Sequence, residues 1–179
     1  MKNLFISLGL IFLAVAERLW LDLGPNVELV TLMSVLASVY LGRRWGVAVA
    51  LVALIISDLI LGNTLIMLFT WSAFVLIAWG GQQVRHSPAR AGIYGLLAAL
   101  FFYLYTNFGV WLIGGLYPKT WLGLVECYLM GLPFFKIHAV SSVLLLGGSF
   151  ALLNTKVLLN RFFRGVVANF LRATEAEKS

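Results

Sequence analysis

Long apolar runs recur along the chain, each ended by a short polar or turn-forming stretch. They fall near 3–22, 28–42, 45–61, 64–81, 92–115 and 137–155. A helix needs ~20 apolar residues to cross the hydrocarbon core of a bilayer. With no water there, a spanning segment must satisfy its own backbone as a helix or within a closed barrel. The pattern therefore predicts an all-α integral membrane protein of six transmembrane helices. The second and third runs are short and fit as tilted or tightly turned helices. Their hinge is Leu41-Gly42-Arg43-Arg44-Trp45-Gly46. An even number of spans puts both termini on one side.

Two further segments are apolar without being comfortable spans. Residues 121–135, which include Glu126, Cys127 and Tyr128, are too short to cross. They read as a helical outer loop segment near 121–133, closed by Pro133. Beyond the last span, Leu159, Phe162, Phe163, Val166 and Phe170 fall on one helical face, with Asn160, Arg161, Arg164 and Arg172 opposite. This is the pattern of an amphipathic helix at the membrane surface. The expected organisation is a six-helix transmembrane domain over 1–155, then a cytoplasmic amphipathic helix and polar tail over 156–179. Lys2, the first apolar run and Ala14-Val15-Ala16 mimic a secretory signal peptide. Its removal would leave an odd number of spans, so the segment is expected to stay as the first helix.

Composition agrees, with 61% of the 179 residues hydrophobic and 11% charged, and a mean hydropathy of +0.97. Charge then orients the bundle. Lys2, Arg43, Arg44, Arg85, Arg90, Lys156, Arg161, Arg164, Arg172 and Lys178 fall on one side, and with Glu175 and Glu177 they leave +8. Arg18, Lys119 and Lys136 fall on the other with Glu17, Asp22, Glu28, Asp58 and Glu126, leaving −2. Cytoplasmic loops carry the excess of Lys and Arg, so the orientation is N-in and C-in, in the cell membrane. The basic residues are dispersed at loop ends, where they meet anionic lipid, and nucleic acid is not an expected partner. The single cysteine, Cys127, excludes an intrachain disulfide.

Candidate chemistry gathers on the acidic side. Glu17 and Arg18 lie in the outer third of the first helix, where ionisable groups are costly unless they pair or line a wet cavity. Arg18 also fits as a snorkelling side chain. Asn26 and Glu28 occupy the first outer loop, and Asp58 ends the third run. Tyr103, Asn107 and Trp111 share one face of the fifth helix by their i, i+4 spacing. Asn107 suits either a helix–helix hydrogen bond or a planar solute. The expected substrate-binding set is Glu17, Asn26, Glu28, Asp58, Asn107, Trp111 and Tyr128. His86 reads as a surface residue, and Cys127 as a small buried hydrophobe or, if folded against His138, a soft-metal ligand. No metal or cofactor is assigned. Without a Walker motif the chain has no ATPase site of its own, and no catalytic constellation marks an enzyme.

Several motifs together resemble a known family. They are Pro25-Asn26-Val27-Glu28-Leu29-Val30-Thr31, Leu41-Gly42-Arg43-Arg44-Trp45, Ile56-Ser57-Asp58-Leu59-Ile60-Leu61-Gly62-Asn63 and Thr106-Asn107-Phe108-Gly109-Val110-Trp111-Leu112, followed by Tyr117-Pro118-Lys119-Thr120, Cys127-Tyr128 and Leu132-Pro133-Phe134-Phe135. Over about residues 14–146 the chain is similar to small, largely uncharacterised transport proteins that resemble the substrate-binding S components of energy-coupling factor (ECF) vitamin transporters. The resemblance implies a six-helix bundle with a pocket under outer loops. It also implies a vitamin or precursor as substrate, and a coupling protein with ATPase subunits as partner. Many S components carry an alanine ladder on the first helix where the coupling protein packs. Here that face offers Ser7, Ile11 and Val15, and small residues recur instead at Ser34, Ser38, Gly42 and at Ala91, Gly95, Ala99. Solitary action therefore stays open. The leading expectation is a substrate-binding and uptake protein for a small micronutrient. The alternative is a structural or assembly subunit of a membrane complex, with no ligand of its own.

Overall fold

The computed structural model describes residues 1–176 apart from Asp22, Pro25 and Asn63, with side chains as far as Lys156. Every element among them is helical. α1 (Lys2–Ala16) ends in a π-helical turn, Glu17–Leu21. α2 (Val30–Tyr40), α3 (Arg43–Leu61) and α4 (Met67–Gly80) follow, then a 3-10 turn over Gly81–Val84. α5 (Pro88–Ile113) and α6 (Trp121–Ala176) complete the chain. A helix thus covers each of the six apolar runs. Four stretches are long and apolar enough to cross a membrane: Lys2–Leu21, Arg43–Leu61, Pro88–Ile113 and Trp121–Lys156. α2 and α4, with 11 and 14 residues, reach only about 17 and 21 Å at ~1.5 Å per residue.

Small residues let these helices close on one another. α2 ends where Leu41 N and Gly42 N both donate to Ala37 O, at 2.8 and 3.1 Å. Gly42 then takes φ 107°, ψ 159°, a conformation open to glycine and strained for any residue with a Cβ. Its carbonyl starts α3 by accepting from Trp45 N and Gly46 N. In the tight α2–α3 hairpin, a Cβ on Gly46 would collide with Ser38 Oγ and lie 2.7 Å from Ser34 O. Ser38 is fully buried and donates its hydroxyl to Ala78 O of α4. In α5, Ala91 and Ala99 are buried, and a Cβ on Gly95 would lie 2.7 Å from Ser142 O of α6. Both small-residue ladders thus serve packing inside this bundle. The α1 face of Ser7 and Val15 also points inward, with both residues buried.

The core is filled by Val30, Val35, Val49, Leu54, Phe74, Leu146 and Phe150. The outer surface is apolar too: Phe5, Phe12, Leu59, Ile60 and Leu68 are all more than half exposed. An apolar exterior of this extent suits hydrocarbon rather than water.

One expectation about the elements changes. The segment 121–133 is helical, but it does not close at Pro133, because α6 runs unbroken from Trp121 through that proline. Proline has no N–H and leaves the carbonyl four residues back without its helical donor, a loss that neighbouring helices make tolerable in membrane segments. Here α5 holds α6 on both sides of the proline. Before it, Tyr103 OH donates to Tyr128 O at 2.5 Å and Tyr128 OH to Leu104 O at 2.9 Å. After it, Gly95 sits against Ser142. The helical backbone also continues past Lys156 to Ala176. The amphipathic face expected of Leu159, Phe162, Phe163, Val166 and Phe170 lies outside the described side chains.

Candidate functional site

The brevity of α2 opens the site. α2 and α3 leave the Gly42 turn as antiparallel neighbours, so the 11 residues of α2 climb only about as far as Leu54. Residues 55–61 of α3 stand beyond its start. The space above α2 is a cavity of about 460 Å³. Its walls are Glu17 and Arg18 of the π turn, Asn26, Val27 and Glu28 of the α1–α2 connection, and Leu54, Asp58, Leu61 and Gly62 around the end of α3. Thr70 and Phe74 of α4, Phe102 of α5 and His138 of α6 complete it.

Each charged group in this lining has a structural bond. Glu17, 6% exposed, accepts from Leu29 N at 3.0 Å. Glu28 accepts from Thr31 N at 3.1 Å and from Thr31 Oγ1 at 2.5 Å. Two carboxylates therefore meet the start of α2, where helical N–H groups lack intrahelical acceptors and the dipole favours negative charge. Arg18 turns to α3: its Nη2 lies 2.6 Å from Asp58 Oδ1, and its Nε donates to Ser57 Oγ at 2.7 Å. The other carboxylate oxygen of Asp58 accepts from Trp71 Nε1 of α4 at 2.6 Å. Neighbouring Glu17 and Arg18 thus serve different helices. The irregular winding that orients them is a π turn, a feature that recurs at functional sites.

A second chamber of about 180 Å³ adjoins the first between α5 and α6. Asn26, Phe102 and His138 line both. Ala99, Tyr103, Thr106 and Asn107 of α5 face Gly131, Phe134 and Phe135 of α6 across it. The polar groups that α5 turns toward it are engaged within the bundle: Asn107 Nδ2 donates to Tyr103 O at 2.8 Å, and Thr106 Oγ1 to Phe102 O at 2.7 Å. Gly131 keeps it open, since a Cβ there would lie 2.6 Å from Asn107 Oδ1.

Of the residues named from sequence, Glu17, Glu28 and Asp58 come together in the larger cavity, Asn107 lines the smaller, and Asn26 lines both. Trp111 and Tyr128 are not in either lining. Trp111 donates from Nε1 to Pro118 O at 2.9 Å and carries Lys119 Nζ 5.7 Å from its ring centre. Tyr128 bonds back to α5 as described. The shared face of Tyr103, Asn107 and Trp111 exists, but it docks α6 and the loop before it. Cys127 is buried, its Sγ donating to Asn107 O at 3.3 Å. Eleven positions along one helix put it roughly 16 Å from His138. Among the described residues no group of three His, Cys, Asp or Glu side chains is arranged to hold a metal.

Among the lining residues that sequence reasoning missed are Phe102 and His138, the latter named there only as a possible metal ligand beside Cys127. The signal was available: Gly131, Phe134, Phe135 and His138 have the i, i+3, i+4, i+7 spacing of one helical face. Reading Pro133 as a helix end broke that register. Comparison with curated proteins finds no match, and neither does comparison with solved structures. The model of a family of unknown function, DUF6580, matches residues 1–164, and the chain belongs to that family.

Proposed function

We propose that this chain is a membrane-embedded protein that binds and takes up a small organic micronutrient, a vitamin or a precursor. Six helices cross the cell membrane with both termini in the cytoplasm, and the ligand enters from the acidic end. The observation that carries this reading is the pair of adjoining chambers at that end, lined from the π turn after α1, the α1–α2 connection, and α3, α4, α5 and α6. The larger is within the ~300–1,000 Å³ range of small-molecule sites. It is floored by aromatic and apolar side chains with a few convergent polar groups, as such sites are.

The resemblance to ECF S components supports the same class, with a coupling protein and ATPase subunits supplying the energy. The α1 face that such a partner would meet is turned into the bundle here, at Ser7 and Val15. A coupling partner would therefore use another face, and action without one fits equally. The second reading, an assembly subunit without a ligand, is favoured by one observation: Arg18, Ser57, Asp58 and Trp71 already satisfy one another.

Mass spectrometry of small molecules released from the detergent-purified chain, with melting curves across a panel of vitamins and precursors, separates the two. A retained compound, or one that raises the melting temperature, is expected. An empty preparation with no stabiliser in the panel would favour the assembly subunit.

A further inference from the structure

The two chambers differ in chemistry, and His138 stands at their junction with Asn26 and Phe102. It is 8% exposed and lines both. Its ring stacks on Phe102, centroids 5.4 Å apart and planes 3° from parallel. Among the described residues no hydrogen bond reaches its ring nitrogens; its backbone carbonyl accepts from Ser141 Oγ at 3.0 Å. A buried imidazole without a protein partner is costly, and this one opens onto both cavities. That is the condition of a group whose partner is a ligand.

The sides of the junction set the ligand's two ends. In the smaller chamber the polar groups of Tyr103, Thr106 and Asn107 are bonded within the bundle. What remains are the ring faces of Phe102, Tyr103 and Phe135, which favour a planar apolar group by stacking. On the larger side the charged lining is Glu17, Glu28 and Asp58 against Arg18. Three carboxylates and one guanidinium give −2 when all are ionised, a field that selects a cation. At about 180 Å³ the smaller chamber is below the usual ~300 Å³ of an independent site, so it serves as an extension of the larger.

We infer that the chambers hold one elongated ligand, with a planar ring between α5 and α6, a cationic nitrogen group facing Glu17, Glu28 and Asp58, and a polar atom at the junction bonded to His138. This rests on the proposed binding function and names its ligand class.

Three matched indoles test it on the full chain in detergent: tryptamine, a cation; tryptophol, its neutral analogue; and indole-3-acetate, an anion. Calorimetric titration should give tryptamine the tightest Kd, by about tenfold over tryptophol, with indole-3-acetate weakest. Gly131→Val, which fills the smaller chamber, should weaken tryptamine about tenfold or more. Glu28→Gln keeps an acceptor for Thr31 and should narrow the tryptamine-over-tryptophol preference. His138→Leu should weaken tryptamine about tenfold, whereas His138→Gln, which still hydrogen-bonds, should stay within about threefold. Melting curves without ligand identify any variant that fails to fold, and the remaining variants then decide. Equal or tighter binding of tryptophol or indole-3-acetate overturns the ligand class. So do folded Gly131→Val and His138→Leu variants that bind like the parent, and so does failure of all three indoles. In each case the vitamin panel reports separately: a neutral or anionic stabiliser there keeps the binding function and removes only the cationic class.

Discussion

Arg18 and Asp58 illustrate how a polar group survives in so apolar a chain. Removing one partner of a buried ion pair costs more than the pair contributes, because the other charge is left without compensation. Asp58 also holds Trp71, so its carboxylate ties α1, α3 and α4 together. Asp58→Asn is therefore expected to destabilise the protein by about 3 kcal/mol, read as a lower melting temperature in detergent. The double variant Arg18→Met, Asp58→Leu should recover part of that loss; if it is worse than Asp58→Asn alone, the pair is not what the carboxylate is for. From sequence, rarity alone showed that Glu17 and Asp58 had to be paired or lining a site, since charge in hydrocarbon needs a reason. It did not show which; in the structure both carry a structural bond and both line the larger cavity. Nor did sequence show that Trp111 and Tyr128, with the right residue types at the right depth, would have their polar atoms bonded to Pro118 O and Leu104 O instead of turned to a cavity.

At the scale of elements, hydrophobic patterning made the helices legible, because each apolar run is bounded by glycine, proline or a basic residue. The tight hinge at Gly42 was legible for the same reason. What escaped was helix α6, whose continuity through Pro133 depends on tertiary contacts with α5 that no local pattern contains. The consequence of a short α2 escaped too: an 11-residue helix reads as an awkward span, whereas its function in the fold is to stop early and leave room for the cavity above. That room depends on how closely α2 lies against α3. Gly46→Ala inserts a methyl group where Ser38 Oγ and Ser34 O already sit, and overpacking of this kind costs about 1–3 kcal/mol. Gly9→Ala is the matched control, because a Cβ there meets nothing within 4 Å and alanine is the better helix former by roughly 1 kcal/mol. Melting curves should show a clear loss for Gly46→Ala and none for Gly9→Ala. Equal effects would mean that the α2–α3 approach is not tight.

Across the whole molecule, the antiparallel helices collect charge at opposite ends. Arg43 and Arg44 follow the α2–α3 turn, and Arg85 and Arg90 flank the start of α5. At the other end, Glu17, Glu28 and Asp58 surround the larger cavity. If the arginine end is cytoplasmic, as the positive-inside rule requires, the cavity meets solutes from outside, and uptake is geometrically sensible. If the arginine end faced outward, the same cavity would sample the cytoplasm and the transport reading would lose its direction. Lys119, in the α5–α6 connection, and Arg85, after the 3-10 turn, are both exposed and lie at opposite ends of α5. Single cysteines at these positions, made in a Cys127→Ser background, should react oppositely with a membrane-impermeant maleimide on intact cells. Lys119→Cys should label from outside, and Arg85→Cys only after the membrane is permeabilised. Labelling of Arg85→Cys alone would invert the bundle, and labelling of both from outside would mean that α5 does not cross.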